Sequence, residues 1–364
     1  MGEFRVVQGR CHPLYVFEVG FSIDLADAER RLAHTTERQA FRRPGLAGDP
    51  LAARPAPLRM QLDTSATRLG PFAVLPVVEV VLYEFGAVSV GYEIPLGTTA
   101  DELISLSVAL REDPALLEDA RGRVTELIAS LGPAVERARV ADLVEDYFVF
   151  RVRELAGDAD AAVIATRHAE LIARLLRAET GALSPEEIAD ATSARLSFSP
   201  RDVTFVDWDS AFLYDPDPDK LRAVLEFANV QLLELRYLDT QLDRIMERSY
   251  ELLLKRTGWR ALTPSFLAAD MRELAFLQVD SAVLLERVSN AIKFLGEEYL
   301  ARLYRLVSGR LHLAEWDASI TRKLATIGSI HEKMADRAAA RRMELLEWVI
   351  ILLITFEVVL SLTR

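Results

Sequence analysis

Residues Leu345 to Thr363 read LLEWVIILLITFEVVLSLT, and how this stretch is hidden from water decides the architecture upstream of it. Among its 19 residues only Glu347 and Glu357 are charged. As a helix at about 1.5 Å per residue it extends roughly 28 Å, close to the hydrocarbon thickness of a bilayer. Trp348 sits where an interfacial anchor is expected, and Arg337, Arg341 and Arg342 precede the run while only Arg364 follows it. Basic residues favour the cytoplasmic side, so the expectation is a single C-terminal membrane pass, with membrane lipid as a partner and the bulk of the chain in the cytoplasm. A second reading is a soluble homo-oligomer with bundled C-terminal helices. Glu347 and Glu357 lie ten residues apart, an offset of about 80° after whole turns, and a carboxylate in such a helix faces another protein helix. On either reading the membrane or assembly residues are Arg341, Arg342, Glu347, Trp348 and Glu357. Met1 to Arg10 has no apolar segment of the kind a signal sequence needs.

Two long helical patterns precede this end. From Asp217 to Arg256 apolar residues recur every three or four positions (Leu221, Leu225, Ala228, Leu232, Leu235, Leu238, Leu242, Ile245, Leu253), with Ser249 as the weak member. Gly258 stops that pattern, and Thr263-Pro264 opens the next. The second seam runs from Leu274 to Met334, interrupted by Ser281, Arg310, Asp317 and His331. Polar residues in a seam set register or oligomer state. The expectation is a long antiparallel hairpin or coiled coil, with a bend or break near Gly309.

The N-terminal half is mixed. Leu14 to Phe21, Val77 to Tyr92 and Asp146 to Glu154 are rich in Val, Tyr and Phe and read as strands, with Gly86 marking a hairpin or bulge in the second. Helices are expected over Leu25 to Thr36, Ala100 to Arg111, Leu116 to Leu131 and Asp160 to Glu179. Arg42 to Pro57, with four prolines, reads as an exposed loop. Strands interspersed with helices predict an α+β domain over 1–205, followed by a helical stalk over 206–343 and the anchor or assembly helix over 344–364.

Composition limits the function classes. Hydrophobic residues make up 51% and charged residues 27% of 364, a globular balance. A net charge of −12 repels phosphate backbones, so direct DNA binding is not expected. Cys11 is the single cysteine, which rules out an intrachain disulfide and implies a reducing compartment.

Several motifs fall short by one residue. His331-Glu332 begins a zinc-helix signature, but Ala335 stands where the second histidine belongs. Asp215, Asp217, Asp219 and Glu226 match calcium-loop positions, yet Lys220 replaces the turn glycine, so these aspartates are read as capping the first long helix. Asp202, Asp207 and Asp209 around Trp208 read as a solvated turn. Glu84, Glu93, Arg151 and Arg153, on predicted strands, are the candidates for lining a pocket in an N-terminal ligand-binding or enzymatic domain, although strand charges commonly form exposed cross-strand pairs. No catalytic, cofactor-binding or metal residues are assigned from sequence.

The order of the pieces resembles the family named for "required for meiotic nuclear division", also called domain of unknown function 155. The closing LLEWVIILLITFEVVL (Leu345–Leu360) is similar to that family's Leu-Glu-Trp, aliphatic run and late Glu-Val. VLYEFGAVSVGYE (Val81–Glu93), ADATSARLSF (Ala189–Phe198) and LAEWDASITRKLATI (Leu313–Ile327) are similar to further segments, with Tyr92 in place of the family's usual Trp. The resemblance implies a membrane-associated, oligomeric, non-enzymatic scaffold with a protein or ribosome partner, since mitochondrial relatives are linked to translation. The Ala, Arg and Asp usage and the lack of a transit peptide point instead to a bacterial cytoplasmic-face protein.

Overall fold

The computed structural model describes residues 4–35, 56–64, 68–157, 160–216, 218–254, 279 and 298–362. Two compact units divide the chain, Met1–Tyr237 with Glu286–Glu315, and Leu238–Leu285 with Trp316–Arg364. The expected proline loop and the first part of the second long helical pattern lie outside the described residues.

The first unit is a mixed α/β body built on a large sheet. Its strands are β1 (Val6–Glu18), β2 (Ser22–Ile23), β3 (Leu58–Asp63), β4 (Arg68–Leu69), β5 (Phe72–Ala73), β6 (Val77–Leu82) and β7 (Ala87–Gly91), followed by β8 (Ile94–Leu96), β9 (Val135–Glu136), β10 (Val144–Leu155), β11 (Arg195–Leu196), β12 (Val203–Val206) and β13 (Ser210–Tyr214). Nine of them form one sheet in the order β11-β12-β13-β10-β1-β7-β6-β3, with β8 also on β1. Only β10 and β13 run parallel; the other pairs are antiparallel. Helices α1 (Leu25–Thr35), α2 (Ala100–Glu112), α3 (Ala115–Leu131), α4 (Ala161–Arg167), α5 (Ala169–Arg177) and α6 (Pro185–Ala191) lie between the strands in sequence. The long α7 (Asp219–Leu254) begins in this unit, and α8 (Glu298–Arg310) returns to it.

The two faces of the sheet differ in chemistry. Strand partners share a face, so Cys11, Tyr15 and Phe17 of β1 lie beside Phe150 and Phe148 of β10. This face forms the main core, closed by Leu103, Leu106 and Leu110 of α2, Val124 and Leu131 of α3, and Ile172 and Leu176 of α5. Burying each such side chain contributes about 1.5–3 kcal/mol. The opposite face carries Arg10, His12 and Glu18 of β1 with Glu145 and Arg151 of β10, and α7 lies across it. Arg222 of α7 meets Glu79 at 2.7 Å, Glu226 meets Arg59 at 3.1 Å, and Arg236 pairs with Glu145. A helix so polar on its buried side is held by charge pairing as well as apolar contact.

The hairpin read from Gly86 is present. Gly86 turns between β6 and β7 with φ +102, and a Cβ there would stand 1.9 Å from the Gly20 carbonyl oxygen. The acidic cluster expected as a solvated turn is largely interior. Asp207 is buried at the end of β12, 2.9 Å from Arg177 of α5 and 2.7 Å from Arg310 of α8, and Arg310 also reaches Asp190 of α6 at 2.7 Å. Arg111 forks onto Asp209 at 2.6 and 2.8 Å. The single helix expected over Asp160 to Glu179 is two, because His168 departs from helical geometry between α4 and α5.

In the second unit, Leu242 and Ile245 of α7 and Ile320, Ile327 and Ile330 of α9 (Leu313–Leu362) are buried. Lys323 ties the two helices, 2.7 Å from Asp239 and 2.6 Å from Asp243. The break expected near Gly309 falls at His312, whose φ of +52 separates α8 from α9. Beyond Ile330 every described side chain of α9 is exposed.

Among the described residues no helix is long and apolar enough to cross a membrane. The expected single C-terminal pass, the membrane localisation and the transmembrane element of the fold class are corrected accordingly. The physical reason lies in the two glutamates. Between Glu347 and Glu357 stand nine uncharged residues, which as a helix extend about 14 Å, half of the roughly 30 Å of hydrocarbon to be crossed.

Gly86→Ala should destabilise the first unit by on the order of 3 kcal/mol, since it adds left-handed strain and a steric clash. Arg310→Met should cost about 2–4 kcal/mol by leaving the Asp207 carboxylate undercompensated in the interior. Denaturant midpoints of the purified variants check both.

Candidate functional site

The polar face of the sheet opens at one end into a cleft of about 210 Å³, lined by Gln8, Gly9, Arg10, Glu93, Arg151, Arg153, Pro218 and Asp219. Its shape follows from an irregularity in the β1–β10 ladder. Gln8 pairs with Glu154 and Gly9 with Val152, so Arg153 has no opposite number on β1. Such a bulge re-aims a side chain. Gly9 permits the close approach, because a Cβ there would stand 2.7 Å from the Arg151 carbonyl oxygen. Arg10 and Arg151 are direct cross-strand partners, a like-charge pair that needs compensation. Glu93 pairs with Arg10, while Asp219 at the start of α7 lies 2.6 Å from Arg151 and 3.6 Å from Arg153.

Beneath the cleft lies buried His12. Arg151 Nη1 donates to His12 Nε2 at 2.8 Å. A guanidinium has only donors, so Nε2 is the accepting nitrogen and the ring proton sits on Nδ1, 3.8 Å from a Glu93 oxygen. Burial first, then Arg222, Arg151 and Arg10, hold His12 well below the usual histidine range. Burial also lowers Arg151, and Arg222 and Arg153 add to the effect against the opposing pull of Asp219. The arrangement can bind and orient an anion; it offers no nucleophile beside a base.

Of the four pocket candidates from sequence, Glu93, Arg151 and Arg153 converge here. Glu84 sits exposed in the β6–β7 turn, away from them. Arg10, His12 and Asp219 escaped sequence reasoning as pocket residues; Asp219 was placed only as a helix cap. The calcium-loop reading gains no support, since Asp219 and Glu226 are engaged by arginines and Asp217 lies outside the described residues. Among the described residues no group of His, Cys, Asp and Glu is placed to hold a metal ion.

The assembly candidates lie elsewhere, on α9. Glu347 and Glu357 are exposed, and Trp348 is 64% exposed. The side chains of Arg341 and Arg342 lie outside the described residues.

A buried carboxyl pair, Glu18 of β1 and Glu234 of α7, sits on the same polar face. Burial, then the charge of Glu234, pushes Glu18 well above the ordinary carboxyl range, so Glu18 keeps the proton beside Glu234. Burial likewise raises Glu145 to about 7 against the opposing pull of Arg236. Raised carboxyl values favour the folded state below the unfolded value near 4.5, and that contribution is lost as pH rises toward and past 7. Glu18→Gln keeps the size and shape of the side chain without a titrating proton. Urea midpoints measured from pH 5 to 8 should fall less steeply with pH in this variant than in the parent chain; parallel slopes would refute the assignment.

Residues 8–220 match the family described as "Uncharacterized protein MJ0711, N-terminal domain". The match takes in the large sheet, the cleft and the start of α7, and none of the tail that carried the resemblance to the meiotic nuclear division family. "Uncharacterized protein MJ0711" of Methanocaldococcus jannaschii is 23% identical over 196 residues, 53% of this chain and 59% of that protein. The chain thus spans under two thirds of that relative's length. No solved structure matches the chain. With more than half of its residues inside the matched segment, the chain belongs to the family of the MJ0711 N-terminal domain.

Proposed function

We propose that this protein is a non-enzymatic, self-associating scaffold whose copies meet through the C-terminal end of α9. One observation carries the reading. From Leu346 to Val359, eleven apolar side chains, among them Trp348, Leu352, Leu353 and Phe356, are each more than half exposed. A contiguous apolar surface of this kind marks an interaction site, and a helix apolar over most of its circumference belongs in a packed interior. Sister helices supply that interior. The two carboxylates occupy a sector of about 80°, which a bundle turns to its rim while burying the remainder. Lys323 with Asp239 and Asp243 fixes the base of α9 against α7, so the exposed end is presented by a braced helix.

Sedimentation of the full chain over a range of concentrations tests the reading. A discrete oligomer is expected, and a chain ending at Met343 should sediment as a smaller species with an unchanged circular dichroism signature of the sheet unit. Leu353→Glu should weaken association by at least about 2 kcal/mol, roughly thirtyfold. A full chain that stays a single subunit at every concentration refutes the proposal.

A further inference from the structure

We infer that the cleft bordered by Arg10, Arg151 and Arg153 binds a small doubly charged oxyanion, a phosphoryl group or a short dicarboxylate. The site is built into the sheet around the buried Arg151, with Arg10 and Arg153 half-exposed beside it. Arg151 is 7% exposed, its Nη1 held by His12 and its Nη2 by Asp219, while its buried Nε has no hydrogen-bond partner among the described residues. Three guanidiniums bring five N–H donors each. The protein sets against them two carboxylates, Glu93 and Asp219, and one ring nitrogen. Three positive charges thus face two negative ones, and the buried Nε of Arg151 is left without an acceptor, which favours an anion.

The local field agrees. Burial first, then Arg222, Arg151 and Arg10, hold His12 down, and these arginines cluster here in a chain whose net charge is −12. Asp219 and Glu93 do not close the site. The Arg153–Asp219 approach of 3.6 Å is an ion pair without a hydrogen bond, and Arg10 is 54% exposed. A dianion can take both guanidiniums in forked geometry and leave Asp219 on Arg151. Size limits the class. A cleft of about 210 Å³ is below the 300–1,000 Å³ of sites for drug-sized ligands, and its size suits a phosphoryl group or a four-carbon diacid.

Isothermal titration of the full chain with inorganic phosphate and, separately, with succinate tests the inference. Saturable binding of one ion per chain by either is expected; phosphate alone identifies a phosphoryl site and succinate alone a dicarboxylate site. Arg153→Gln, at a half-exposed position that the core does not need, should weaken binding about tenfold, as should Arg10→Gln. Arg30→Gln, on the exposed side of α1, should bind as the parent chain does. Failure of both anions to saturate the parent chain overturns the inference, as does equal weakening by all three substitutions or by none.

Discussion

The antiparallel pairing of β1 with β10 is the constraint on which the first unit depends. Eleven partner pairs run from Val6 with Leu155 to Phe17 with Val144. This ladder joins the β7-β6-β3 side of the sheet to the β13-β12-β11 side, so the other strands of that sheet take their positions from it. Its alternation also sorts the side chains. Most of the aromatic rings go to one face and the arginines, His12, Glu18 and Glu145 to the other, and the register shift that leaves Arg153 unpaired opens the cleft. Shifting the register by one residue would exchange the faces, placing Phe148 and Phe150 against the charges of α7 and Arg151 in the apolar core.

The polar layer between the sheet and α7 is an uncommon solution. Ion pairs out of water gain little net stability over well-packed apolar residues, because desolvation offsets most of the attraction. They do specify placement. Arg222 and Glu226 find Glu79 and Arg59 only when α7 lies at one height along the sheet, and Asp219 reaches Arg151 under the same condition. The charged layer therefore fixes where α7 starts, and the start of α7 forms one wall of the cleft.

Sequence patterning showed the elements whose local chemistry is sufficient. Val77–Leu82 and Ala87–Gly91 announced themselves by β-branched residues around Gly86, and Asp219–Leu254 by its three-four seam. What stayed hidden depends on distant partners. Nothing local distinguishes the buried Asp207 from the exposed Trp208 beside it, because the arginines that compensate Asp207 lie 30 residues before it and 103 after it in sequence. The short strands Val203–Val206 and Ser210–Tyr214 were masked by that same acidic turn. Arg151 and Arg153 could be nominated for a pocket, yet His12 and Arg10 join them only through the strand register. The apolar tail misled in a different way. Counting residues gave a membrane-spanning length, while the position of Glu357 divides the run and leaves it too short.

Cys11 lies on the aromatic face, fully buried, and burial raises its thiol far above the range in which a thiolate forms. A sulfur so placed is slow to alkylate and slow to oxidise. The native chain is therefore silent toward maleimides, and a cysteine introduced at an exposed site such as Arg30 would carry a fluorophore or spin label without competition from the wild-type residue.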